Sequence, residues 1–132
     1  MIEFTIPGRP FAKQRARMTK TGRMYTPAET VAYEAKVRAI AREYFPEPLV
    51  GPVFVSIYAY FEPPTSWSKA KRAAAMGQYH TQKPDNDNIR KIILDALNGV
   101  AFADDSQVAR DSGAKWWSLG GSETVVCVSS LA

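Results

Sequence analysis

The strongest periodicity in the chain places Ile89, Ile92, Ile93, Ala96 and Leu97 at i, i+3, i+4, i+7 and i+8. That spacing lines one face of an α-helix, and Gly99 stands where such a helix should stop. The helix is expected from Asn88 to Asn98, with Asn88, Lys91 and Asp95 on a separate polar stripe. Residues 53–61, VFVSIYAYF, are dense in β-branched and aromatic types without clean alternation. They predict a central strand buried on most of both faces. EFTI (3–6) reads as a short first strand. Thr26-Pro27-Ala28-Glu29 has the form of a capping box with Pro at the first helical position. It predicts a helix to about Phe45, carrying Val31, Ala35, Arg38 and Arg42 at helical spacings and ended by Pro46 and Pro48. WSKAKRAAAM predicts a short basic helix after Ser66, closed by Gly77. VAFADD reads as an extended return. QVARDSGAKWW and SETVVCVSS read as two strands joined by SLGG, an expected antiparallel pair.

Length adds that 132 residues suit one domain, spanning 1–132, with one active site. Neither an eighteen-residue apolar stretch nor a basic-then-apolar leader is read, so a soluble cytoplasmic protein without a membrane span is expected. Cys127, the single cysteine, has no partner for a disulfide or metal cluster and reads as a small core residue. The net charge of +4 says little by itself, but its distribution separates a basic arm from an acidic centre. Between Phe4 and Ala28 lie six cations, Arg9, Lys13, Arg15, Arg17, Lys20 and Arg23, and no acid. Residues 85–111 hold six aspartates against Arg90, Lys91 and Arg110.

The candidate chemistry lies in those aspartates. Asp85 and Asp87 are two apart, so in an extended segment they share a face and can bind one metal, while Asp87 or Asn88 can cap the following helix. That helix climbs about 15 Å. An extended return from Val100 to Asp105 spans up to roughly 20 Å, which would bring Asp104 and Asp105 beside Asp85 and Asp87. Three or four gathered carboxylates repel one another unless hard cations neutralise them, and Mg2+, which takes oxygen ligands and binds phosphate, is the natural occupant. Such a site could activate water against a phosphodiester and stabilise the leaving oxygen. Lys91, four residues after Asp87, would face a phosphate oxygen or the transition state, with Asp95 balancing it. Taken separately, the first motif is an ordinary helix cap, the second a solvated turn, and Lys91 with Asp95 a surface ion pair.

Arg15, Arg17, Lys20 and Arg23, with Tyr25, are placed to track phosphates, and Lys13 belongs to the same basic loop. Lys69, Lys71, Arg72 and Lys83 form a second basic stretch that could cover DNA or simply be solvated. Trp116 and Trp117 fall on one strand and must face opposite sides, which favours core or dimer packing over base stacking. His80 reads as a lone surface histidine in a loop.

KPDNDNIRKIILDALNGVAFADDSQV resembles the signature of the RusA family of Holliday junction resolvases, roughly D-x-D-N-[LI]-x-K-x-x-x-D-A-L-x followed by D-D-x-Q-[VI]. PFAKQRARMTKTGRMYTPAETVAYE and PPTSWSKAKRAAAM also resemble segments of phage and prophage members. The resemblance implies an α+β fold, a mixed sheet with helices packed on it, in a homodimer. It implies that four-way DNA junctions are bound by structure and nicked symmetrically with Mg2+ or Mn2+. It carries the metal-binding and catalytic aspartates onto Asp85, Asp87 and Asp105, with Asp104 adjacent, and the essential lysine onto Lys91. Asn86 stands where the family often has an apolar residue, and the basic helix at 66–83 is absent from its shortest members.

The expectation is therefore a Mg2+-dependent junction endonuclease of DNA recombination and repair. Its rivals are a structure-selective DNA-binding protein without cleavage and a magnesium phosphohydrolase of small phosphoesters.

Overall fold

A computed structural model describes residues 1–132. Its elements are β1 (Ile2–Pro7), β2 (Arg17–Met18), β3 (Met24–Tyr25), α1 (Ala28–Arg42), β4 (Val53–Phe61), α2 (Lys69–Ala75), α3 (Asn86–Leu97), β5 (Val108–Trp117) and β6 (Glu123–Ser130). A single 3-10 turn, Asp105–Gln107, precedes β5. The fold is α+β. One four-stranded mixed sheet has the order β1-β6-β4-β5, and β2 and β3 form a separate antiparallel ribbon.

β4 is central, as its composition requires. Val53, Val55, Ile57, Ala59 and Phe61 are buried on one face, where α3 contributes Ile89, Ile92, Ile93, Ala96 and Leu97 to the same core as Phe4, Ile6, Val126 and Val128. The expected β5–β6 hairpin does not form. β5 pairs parallel with β4, from Val53↔Val108 to Phe61↔Trp117, while β6 lies between β1 and β4 and is antiparallel to both. The linker crosses the end of β4, where Ser118 N donates to Phe61 O and Glu62 N to Ser122 Oγ. Burial explains the choice: β5 is exposed from Ala109 to Gly113 and buries only Trp117, which suits an edge, whereas the apolar β4 and β6 are best covered on both sides.

α1 buries Thr30, Val37 and Ala41, so the row through Val31 and Ala35 faces solvent. The expected capping box is absent, since Pro27 occupies the N-cap without a side-chain bond. Glu29 instead accepts from Gln14 Nε2 at 3.3 Å, and Gln14 Oε1 accepts from Thr30 Oγ1 at 3.0 Å, which ties the basic loop to the helix.

The return after α3 is not extended either. Val100, Ala101 and Phe102 are buried, and that apolar triplet turns back under the helix end, with Gly99 at φ 79° donating to Phe102 O. Leaving the triplet stretched in water would forgo on the order of 1.5–3 kcal/mol for each large side chain.

Candidate active site

α3 starts two residues earlier than expected, with Asp85 as its N-cap and Asp87 in its first turn. The two acids therefore sit on a helix end rather than along an extended segment. Asp85 gives no side-chain cap to the helix. Its carboxylate is instead met by Lys83 Nζ at 3.0 Å. Asp87 accepts only the adjacent Asn88 N–H, at 3.0 Å. Each carboxylate keeps lone pairs free at the positive end of a helix dipole, where anions are favoured.

Asp87 opens onto a cleft of about 400 Å³ between α3 and β5, lined by Ile57, Asn86, Arg90, Asp111, Ser112 and Gly113 as well. Gly113 makes room for Asn86. A Cβ at Gly113 would lie 3.5 Å from the Asn86 amide and 3.1 Å from Ile57 O. Asn86 is thus turned toward β5, and across the cleft Arg90 pairs with Asp111. Sequence reading missed Asp111, because a single charge on a predicted strand carries no signal until the sheet places it.

Asp104 and Asp105 lie elsewhere. Asp104 caps the 3-10 turn, taking Ser106 N at 3.0 Å, and its hydrogen bonds from Ser106 hold its carboxyl below the usual aspartate range. Gln107 accepts Ala103 N and Asp104 N and donates to Leu49 O and Gly51 O, which fastens the turn to the entrance of β4. Val108 pairs with Val53, whereas Gly113, beside the Asp87 cleft, pairs with Ile57. Five residues of strand span about 17 Å, so Asp105 sits toward one end of α3 and Asp85 and Asp87 at the other. Within one chain no three His, Cys, Asp or Glu side chains come together to hold a metal ion. The expected gathering of all four aspartates is not made by a single protomer.

Lys91 is exposed, and no ion pair joins it to Asp87 or Asp95. Asp95 belongs instead to Lys13, whose Nζ lies 2.6 Å from Glu34 and 3.2 Å from Asp95. Burial alone would lower the Lys13 pKa, but its bonds to those two acids outweigh that and raise it. Lys13 is consequently a clamp between α1 and α3 rather than a free cation. Arg15, Arg17, Lys20 and Arg23 are exposed along or beside the β2–β3 ribbon, without ion pairs. Around α2, Lys69 is exposed, Lys71 lies over the Trp67 ring at 4.0 Å, and Arg72 is spent on Pro63 O, Pro64 O and Glu62.

His80 is not on the surface. Only 4% exposed, its ring stacks on Phe61 at 3.9 Å and meets Trp117 at 4.4 Å. Burial, then the nearby charges of Lys115 and Arg9, push its pKa down to about 4. Trp116 and Trp117 do face opposite sides: Trp117 is buried, and Trp116 stacks on the exposed Tyr79 at 4.1 Å.

A helix end that favours anions and carries two carboxylates not used as helix caps, in a chain with an unpaired lysine one turn on and a basic ribbon, has the groups that phosphodiester cleavage with a hard cation would use. The comparisons agree. A family profile described as Endodeoxyribonuclease RusA matches residues 7–128. The uncharacterised protein YqaN of Bacillus subtilis (strain 168) is 35% identical over 125 residues, covering 89% of this chain and 88% of its own. The chain belongs to the RusA endodeoxyribonuclease family. It is thus a hydrolase of DNA phosphodiester bonds, from a family that depends on divalent metal and acts on branched DNA. No helix is long and apolar enough to cross a membrane.

The donor set suits a hard cation. Asp85 and Asp87 offer carboxylate oxygens not consumed by helix capping, and no thiol or imidazole stands with them, which fits Mg2+ or Mn2+ bound through one or two carboxylates with waters retained.

Proposed function

We propose that this endodeoxyribonuclease is a homodimer that resolves four-way DNA junctions by paired symmetric nicks with Mg2+, with Mn2+ able to replace it, in DNA recombination and repair. The observation that carries this reading is the N-terminus of α3, where Asp85 makes no helix cap and is met only by the exposed Lys83, and Asp87 accepts only the adjacent Asn88 N–H, at the end of a helix that favours phosphate. Asp85, Asp87 and Asp105 hold the metal. Asp104, with one oxygen given to the 3-10 turn, is the supporting acid. A bound divalent ion would supply a polarised water and offset charge at the leaving oxygen. Lys91, one turn beyond Asp87, neutralises a nonbridging phosphate oxygen. Arg15, Arg17, Lys20 and Arg23 track the backbone of the arms, and Lys69 extends that track.

The placement of Asp105 supports the dimer. Asp105 is separated from Asp85 and Asp87 by about the length of α3, roughly 18 Å, so a protomer completes its site with Asp105 of the partner subunit. Two α3 helices crossing antiparallel about a two-fold axis satisfy that requirement twice, giving the two sites that paired nicks need.

Cleavage of a fixed synthetic junction with and without Mg2+, mapped to the nucleotide, tests the reading. The Asp87→Asn variant is expected to keep junction binding in a gel-shift assay and to lose nicking by at least about 100-fold, as for loss of a group acting in the transition state. The lack of a three-acid cluster in one chain is what favours a second reading, a junction-binding protein without cleavage. Wild-type nicking that Asp87→Asn leaves unchanged would count against the proposed site.

A further inference from the structure

β5 carries a second device that bears on Asp85. Its edge is open along the polar first half, but beyond that a strap, residues 77–84, is laid against it as far as His80. Gly77 N donates to Trp117 O at 3.1 Å, Trp117 N to Gln78 O at 2.9 Å, and His80 N to Lys115 O at 2.9 Å. Tyr79 bridges Trp116 in antiparallel sense. The His80 ring, wedged between Phe61 and Trp117, anchors the middle of this strap in the core. After His80 the strap leaves the strand, and its last residues before Asp85 are held by one side chain. Lys115 Nζ donates to Gln82 O at 2.7 Å and to Pro84 O at 2.8 Å.

From this geometry we infer that Lys115 is a positioning residue for Asp85, binding the two carbonyls that precede it so that its carboxylate is presented outward at the start of α3. The inference rests on the reading of Asp85 as a metal ligand. Two of the three Lys115 ammonium donors are taken by main-chain oxygens, and the ion pair at the Asp85 carboxylate is made by Lys83 instead. Lys83, on the outer side and 84% exposed, is the pair that a metal or a phosphate can displace. The two lysines have different tasks although both lie beside Asp85. Burial lowers the Lys115 pKa, Asp85 opposes that shift, and Lys83 adds to it. Nothing in the sequence marked Lys115. It is thirty residues from Asp85 and reaches the loop only because β5 runs parallel to β4 at the sheet edge.

The test uses the full chain and the variants Lys115→Met and Lys115→Arg. Mn2+ affinity is measured by calorimetry without DNA, and kcat and KM are measured on a synthetic junction. Lys115→Met is expected to weaken Mn2+ binding and lower kcat by about 10- to 100-fold, the usual cost of removing a group that orients a ligand, with KM for the junction unchanged. Lys115→Arg, which can still bridge two carbonyls, is expected to recover most of both. If Lys115→Met does not fold in a thermal melt, Lys115→Gln, able to reach only one carbonyl, is read in its place. Mn2+ affinity and kcat equal to wild type would overturn the inference, and so would a loss confined to KM, which would make Lys115 a DNA contact. A wild-type protein that cuts no junction would remove the nuclease reading itself, and this inference with it, whereas active wild type with equally active variants would remove this inference alone.

Discussion

Asp85 occupies the N-cap of α3 and gives the helix none of its side-chain oxygens. For a residue type that caps helices so readily, leaving the cap unmade forgoes about 1 kcal/mol, and the carboxylate pairs instead with the exposed Lys83. Asp104 shows the opposite allocation, its oxygen drawn into the 3-10 turn. The same residue type, adjacent to Asp105, is thereby a structural acid first. His80 illustrates how a residue without function in the sequence becomes informative once buried. Its folded pKa, about 4, lies below the usual histidine value near 6.5. Between those limits the unfolded chain binds the proton and the folded chain does not, so stability is full above about pH 6.5 and is lost as pH falls toward 4. Urea melts from pH 7 to pH 4 should record a loss on the order of 2–3 kcal/mol that a His80→Phe variant lacks. A wild-type curve flat over that range would show that His80 protonates freely in the fold.

Among the elements, α3 was legible locally from its apolar spacing, whereas β2 and β3 fall in a stretch read only as a basic loop. α3 was misplaced only at its start, because Asp85-Asn86-Asp87 looks equally like an extended acidic loop until packing against β5 settles it. The ribbon's register, Arg17↔Tyr25 and Met18↔Met24, joins its exposed cations in one two-stranded element. Replacing Arg17, Lys20 and Arg23 together with alanine should weaken junction binding and reduce the slope of log affinity against log salt by about one for each phosphate no longer neutralised. The melting temperature should stay unchanged, since none of the three is paired or buried. An unaltered salt slope would assign the ribbon to some role other than tracking phosphate. Lys13, which shares that stretch of sequence, is left out of this set because Glu34 and Asp95 hold it.

At the scale of the whole molecule, the separation of the aspartates makes a prediction that only an oligomer can meet. Mixing Asp87→Asn with Asp105→Asn protein, each inactive alone, should restore nicking in mixed dimers. One of the two composite sites then draws its Asp85 and Asp87 from the Asp105→Asn chain and its Asp105 from the Asp87→Asn chain. Were all acids supplied by one chain, both sites of every mixed dimer would stay defective, and the absence of any recovered activity would exclude the composite arrangement.

Composition and periodicity were enough to locate the three helices and the strands of the main sheet, to make β4 central, and to separate a basic loop from an aspartate-rich centre. These follow from interactions within about a dozen residues, in which spacing and residue type decide. The tertiary structure alone decided that β5 lies parallel beside β4 with β6 on the other side, that Lys13 takes the partner expected for Lys91, that His80 is buried, and that Asp105 lies a helix length from Asp85 and Asp87. Each of those depends on which distant segments share the core. The buried triplet Val100-Ala101-Phe102 shows the reason: read locally it could continue an extended run, but removing it from water bends the chain and leaves the acids at opposite ends of α3.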